Sequence, residues 1–131
     1  MPELVHYISK QESVKEIQDW FSMQFPFLKI NFYENRDLVP EVRGSRLTIF
    51  QPESLLKAIN PNMIEGELVL QGSMAVSALE IYFKEKLGLS VQILRKSGNL
   101  WLDTARTNSW SLNEQNSHGC EISPQQSNKT G

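Results

Sequence analysis

Three short stretches hold the residue types that chemistry needs. In SHGCE, His118 stands two residues before Cys120, a base beside a thiol, the pairing that activates a nucleophile when a fold holds the two together. The surrounding segment is poor in apolar side chains, so no fixed geometry is expected for them there. In EGELVLQG, Glu65 and Glu67 share one face of an alternating run, where paired carboxylates could serve as acid and base. Charges that keep strand edges from pairing explain the same spacing without catalysis. In LQGSMAVS, Gly72 and Ser73 lie between a strand and a helix, where free N–H groups can receive an anion, but the second glycine and the lysine of a phosphate loop are missing.

Metal chemistry finds fewer parts still. One cysteine, two distant histidines and scattered carboxylates do not supply the four ligands of a zinc site, so no metal and no cofactor are expected. His6 has no third group beside it and reads as a surface or hydrogen-bonded structural histidine. The sequence therefore assigns no catalytic residue. A small enzyme would need a closed pocket lined by carboxylates.

The densest cluster of binding chemistry is RKSGNLWLDTARTNSW, residues 95–110, with two tryptophans, two arginines and a lysine. Arg95, Lys96 and Arg106 could hold phosphates while Trp101 or Trp110 stacks on a base. Three cations are few, Asp103 intervenes, and the chain carries a formal net charge of -2, so nucleic acid is an unfavoured partner.

The elements around this cluster decide what it displays. LSVQILRKSGNLWLDT gives two alternating runs about Ser97 and Gly98, which predicts a hairpin with a two-residue turn. Counting outward from that turn sets Arg95 against Leu100, Leu94 against Trp101, Ile93 against Leu102 and Gln92 against Asp103. One face then carries Leu89, Val91, Ile93, Leu100 and Leu102 and must be the core side. The other carries Gln92, Leu94, Lys96, Asn99, Trp101 and Asp103. Leu94, Lys96, Asn99 and Trp101 on this mixed face are the candidate binding residues, for an unknown partner protein or a second copy of the chain. Cover by another part of the same chain is the plainer alternative. Trp110 and Leu112 are expected to dock the end of the domain.

Upstream, Val14, Ile17, Trp20, Phe21 and Phe25 recur three and four apart, one face of an amphipathic helix with Ser13 and Glu16 as its capping box. FLKINFY alternates as a half-buried strand. Residues 34–44 read as a surface loop, RLTIF at 46–50 as a short strand, PESLLKAIN as a two-turn helix and EGELVLQG as a strand. SMAVSALEIYFKEKLG is the second long helix, with Val76, Leu79, Phe83 and Leu87 inward and Gly88 as its cap. A constant separation lays Val14, Ile17, Trp20, Phe21 and Phe25 over Val76, Leu79, Tyr82, Phe83 and Leu87, which raises an internal duplication without establishing one, since any two amphipathic helices share this pattern.

The 131 residues, 40% of them hydrophobic, suit one domain with a real core. The expectation is an α+β fold, two long amphipathic helices on one face of a mainly antiparallel sheet of about five or six strands. It occupies residues 1–112, and the Asn-, Gln- and Ser-rich residues 113–131 are expected to be a disordered tail. One cysteine, the lack of a secretory leader and the lack of a long apolar run point to a cytoplasmic protein without membrane contact, so the NKT at Asn128 carries no glycosylation meaning.

The stretch VSALEIYFKEKLGLSVQILRKSGNLWLDT resembles a helix and hairpin segment of small uncharacterised bacterial proteins, most specifically in the RKSG turn followed by tryptophan. The likeness runs from about Val76 to Asn116. It implies a bacterial cytoplasmic protein and brings no activity, cofactor or site. A non-catalytic interaction module is the expected function, with single-stranded nucleic-acid binding and a small enzyme as alternatives.

Overall fold

The structure, a computed structural model, describes residues 4–33 and 49–122. Its elements run β1 (Leu4–Ile8), α1 (Val14–Gln24), β2 (Leu28–Tyr33), α2 (Leu56–Ile59), β3 (Gly66–Leu70) and α3 (Val76–Tyr82), which continues as a π-turn over Phe83–Leu87. They close with β4 (Ser90–Ser97), β5 (Leu100–Asp103), a 3-10 turn (Ala105–Thr107) and α4 (Leu112–Ile122). The fold is α+β, but the expected single sheet is two antiparallel ones, β1-β3 and β2-β4-β5. Among the described residues there are four α-helices, where two long ones and one short one were expected. Alternation along a strand fixes which side chains are buried and leaves the choice of partner strand open, which is why the sequence could not divide the sheet.

Helix α1 forms where the sequence places it. Ser13 accepts from the Glu16 N–H, and the Glu16 carboxylate accepts from the Ser13 N–H at 2.8 Å, closing the capping box. Its inward side chains Val14, Ile17 and Phe21 are buried with Leu28, Ile30 and Phe32 of β2. Each such burial contributes about 1.5–3 kcal/mol. Phe83 meets Phe32 edge-on at 5.8 Å, tying α3 to the same core. Gly88 ends the π-turn at φ 76, as a left-handed cap requires.

The two pairings are symmetric about a common centre. In β1-β3, Leu4 pairs with Leu70 and Ile8 with Gly66, centred on His6 and Leu68. In β2-β4, Leu28 pairs with Arg95 and Phe32 with Val91, centred on Ile30 and Ile93. Val14 and Ile17 of α1 answer to Val76 and Leu79 of α3; past the π-turn, which holds one extra residue, Ile30 answers to Ile93. The helix starts repeat the same arrangement. Val14 and Lys15 donate to the carbonyls of Ser54 and Pro52, while Leu56 and Lys57 donate to Glu12 and Lys10. Val76 and Ser77 donate to Trp110 and Asn108, while Leu112 and Asn113 donate to Met74 and Gly72. Each helix start thus satisfies its partner's orphan N–H groups, which is how Leu55 and Ala75 cap helices without a side-chain bond. The duplication raised by the sequence is a structural repeat.

Residues 113–122 are helical rather than a disordered tail. Ser111 and Glu114 form a second capping box, at 3.0 and 2.8 Å. α4 docks through polar bonds: Arg95 donates to Gln115, Gln115 to Thr107, and the Phe27 N–H to Asn116. Gly119 lets it approach, since a Cβ there would lie 2.9 Å from the Phe27 Cβ. The helix read across PESLLKAIN is a single turn from Leu56, with Pro52 before it in a turn. The loop expected over 34–44 and residues 46–48 of the strand expected over 46–50 lie outside the described residues; of that strand's described part, Ile49 bridges to Tyr33 and the Phe50 N–H donates to the Phe32 carbonyl.

Candidate functional site

The hairpin turns one residue later than its sequence suggests. Gly98 and Asn99 are the turn residues, with Gly98 at φ 62, and the pairs are Ser97–Leu100, Lys96–Trp101, Arg95–Leu102 and Leu94–Asp103. Glycine at the first turn position takes the positive φ, so Asn99 needs none. Moving the turn by one residue shifts each partner by two, which preserves the faces. Trp101 still shares a face with Leu94 and Lys96, and Val91 and Ile93 still point into the core.

The other half of the expected core face does not hold. Leu100 and Leu102 are 65% and 40% exposed, because β5 extends past the helices that cover β4, and Trp101 on the opposite face is 38% exposed. Asn99, at the turn, is exposed, whereas Leu94 and Lys96 are half-buried. β2 brings Lys29 to the same face, its Nζ 5.9 Å from the Trp101 ring centre. Among the described residues β5 is the outer strand of its sheet. The Lys96 N–H bonds to Phe27 on the β2 side, so Arg95 and Ser97 turn their main-chain groups to Leu102 and Leu100. The N–H and C=O groups of Trp101 and Asp103 accordingly face away from β4, along an edge that no other strand among the described residues pairs with.

The cations of the nucleic-acid alternative do not gather on one surface. Arg95 shares its face with Leu102, donates to Gln115 at 2.8 Å and lies over the Trp110 ring at 5.8 Å. Lys96 lies on the opposite face with Trp101. Lys29 was missed as a site residue, and only knowledge that β2 pairs with β4 would have placed it there. Trp110 is half-buried and Leu112 fully buried, in keeping with a docked chain end.

The catalytic candidates separate as well. His118 and Cys120 sit on α4 two residues apart, so they point away from one another; His118 meets the Trp110 ring edge-on at 5.5 Å, and Cys120 is exposed. Glu65 accepts from the Lys10 N–H at 2.8 Å, and Glu67 is exposed on β3. His6 has the partner that the sequence concealed: its Nε2 lies 2.7 Å from Glu12, whose other oxygen accepts from the Ser9 N–H, and its ring stacks on Trp20 at 5.0 Å. These bonds fix the turn before α1. At Gly72 the Asn113 side chain fills the space beside the glycine, 2.3 Å from where a Cβ would lie, and the Gly72 carbonyl accepts from the Asn113 N–H.

A crevice between α3 and β4 was not legible. It measures about 330 Å³, and its walls include Ser77 and Glu80 of α3, Lys84 of the π-turn, Tyr33 of β2, Val91 of β4 and Asn108. Burial, the largest cause, pushes the Glu80 carboxyl up from its ordinary value; Asp103 adds to the rise and a bond from the Ile93 N–H opposes it. Among the described residues no group of three or more His, Cys, Asp or Glu side chains could hold a metal ion, and no helix is long and apolar enough to cross a membrane. No family model matches the chain, and neither a curated protein nor a solved structure is significantly similar to it, so the likeness over Val76 to Asn116 rests on its residues alone.

Proposed function

We propose that the chain is a non-catalytic interaction module that takes an extended segment of a partner protein as an additional strand along β5. The carrying observation is a strand, outermost among the described residues, that exposes Leu100 and Leu102 on one face and Trp101 on the other. An edge strand offers unpaired main-chain groups, and natural proteins usually blunt such edges with charge, proline or cover. β5 has one charged residue, Asp103, whose carboxylate is engaged by Gln92 and the Ala105 N–H. Main-chain bonds to Trp101 and Asp103 would give affinity, and side chains alternating across the edge would give selectivity. Leu94, Lys96 and Asn99 frame the Trp101 side, where Lys29 and Lys96 favour acidic residues in the bound segment.

The test compares wild type with Trp101→Ala and Leu100→Lys for solution mass and for partners recovered from cells and identified. A partner retained by wild type and lost by both folded variants supports the reading. A mass of two copies that the variants abolish replaces the partner with self-association. Unchanged association in both folded variants removes this edge from consideration.

A further inference from the structure

The repeat divides the chain at one place. Residues 4–62 hold β1, α1, β2 and α2, and residues 63–122 hold β3, α3, β4, β5 and α4, so a single connection joins the halves. The helix starts exchange their N–H bonds within each half. The strands do the opposite. β1 pairs with β3 and β2 with β4 along their whole lengths, and among the described residues β1 and β2 do not pair with each other. Across the same division the Phe27 N–H donates to Asn116 at 2.8 Å, the Lys10 N–H donates to Glu65 at 2.8 Å, and Phe32 meets Phe83 in the core. The strands of the first half are completed by those of the second.

The connection is a turn. Asn60, Pro61, Asn62 and Met63 close it through the bond from the Met63 N–H to the Asn60 carbonyl at 3.0 Å, and the Asn62 N–H adds a bond to the Asn60 side chain at 3.0 Å. Its peptide bonds are trans and none of the four residues has a positive φ, which makes it a type I turn with proline at the second position, where that turn favours it. Both flanks are anchored at the end of the π-turn. The Asn60 amide donates to the Gly88 carbonyl at 2.7 Å, Met63 is buried beside Gly88, and the Ile64 N–H donates to the Leu87 carbonyl at 3.0 Å. Pro61 and Asn62 are exposed. Opening the turn at these two residues gives up its own bonds and leaves the pairings between the halves available to another chain.

We propose that two copies of this chain exchange halves, each first half pairing with the second half of the other copy, with Pro61 and Asn62 as the hinge. Both strand pairings, the contact of Phe32 with Phe83 and the seat of α4 on Phe27 are then made between chains by the same partners that make them within one. Exchange of an identical element is a low-cost route to a dimer. A short linker gives its ends an effective concentration on the order of millimolar, so a chain folding at about 1 mM meets a second copy about as readily as its own other half. β5 pairs with β4 of its own half and takes no part in the exchange, so the dimer survives Trp101→Ala and is distinct from association along that strand.

The experiment places a disulfide across β1 and β3 in the full chain. Val5 and Val69 are register partners, so Val5→Cys with Val69→Cys, in a chain carrying Cys120→Ser, bridges the two halves wherever they meet. The protein is unfolded in urea under reduction, refolded at about 1 mM and at about 10 µM, oxidised, and read by non-reducing electrophoresis and solution mass. A folded dimer with bridges between chains is expected at the higher concentration, in a share that falls by at least about tenfold at the lower. Adding Asn62→Pro puts proline at the third position of the turn, where it drives Pro61 out of the helical backbone region and straightens the hinge, so bridges between chains are expected to dominate at both concentrations. The unaltered hinge at the higher concentration decides the matter where Asn62→Pro does not fold. Bridges confined within single chains there, a dimer whose bridges lie within each chain, or a folded Asn62→Pro monomer with an internal bridge would overturn the proposal.

Discussion

Replacing Gly119 with alanine sets two known effects against each other and reads the docking of α4 from the sign of the result. Within a helix, alanine is favoured over glycine by about 0.8–1 kcal/mol, so an α4 that hung free would gain stability. Here the new methyl would lie 2.9 Å from the Phe27 Cβ, 3.1 Å from the Arg95 Cγ and 3.3 Å from the Phe27 carbonyl oxygen. The Arg95 side chain can yield, but the Phe27 Cβ and carbonyl belong to the backbone entering β2 and cannot turn aside. Overpacking of this kind costs about 1–3 kcal/mol, and the upper half of that range applies where rigid atoms block the way. Subtracting the helical gain leaves a net loss of about 1–2 kcal/mol. Urea unfolding followed by tryptophan fluorescence measures it, because Trp110 lies beside α4 against His118. A Gly119→Ala protein stabilised by about 1 kcal/mol would show that α4 does not rest on Phe27.

The remaining predictions touch other joints of the fold. Because burial raises the Glu80 carboxyl above its ordinary 4.5, the folded chain keeps that proton to higher pH than the unfolded one, and stability falls as pH rises from 4.5 through the raised folded value. Glu80→Gln keeps an acceptor for the Ile93 N–H, so urea midpoints should rise at neutral pH and vary less with pH; an identical profile would show that the carboxyl titrates normally. Ser111→Ala removes one bond of the α4 capping box and should cost about 1 kcal/mol in the same unfolding assay, whereas no loss would mean that the helix start is frayed. Gly98→Ala meets no neighbouring atom but forces a side chain into φ 62, so it should cost about 1–2 kcal/mol through backbone strain alone. A neutral result there would place the turn elsewhere.

What the sequence disclosed and what it hid follow from the kind of force at each place. α1, β2 and the inward face of α3 are held by apolar burial at regular spacing, and regular spacing is visible in a single chain. The faces of the hairpin were legible although the turn position was not, since a two-residue change of partner leaves parity intact. α4 was hidden because it docks through Gln115, Asn116 and a glycine, which give no apolar stripe. Its one visible signal was Ser111 followed by Glu114 three residues later, the same capping pattern that marks α1. The exposure of Leu100 and Leu102 depended on how far the helices reach over β5, a tertiary fact without local trace. The crevice depended on α3 lying beside the start of β4, and no spacing within either element announces that.

The edge of β5 is tested most directly by a photoreactive amino acid placed at Leu100, with Met23 on α1, 74% exposed, as the control position. After irradiation in cells, a strand that takes up a partner segment gives one discrete protein adduct from position 100, its cross-linked peptide mapping to a continuous segment of the partner, and none from position 23. Equal or absent labelling at the two positions would contradict a recognition strand at Leu100–Asp103.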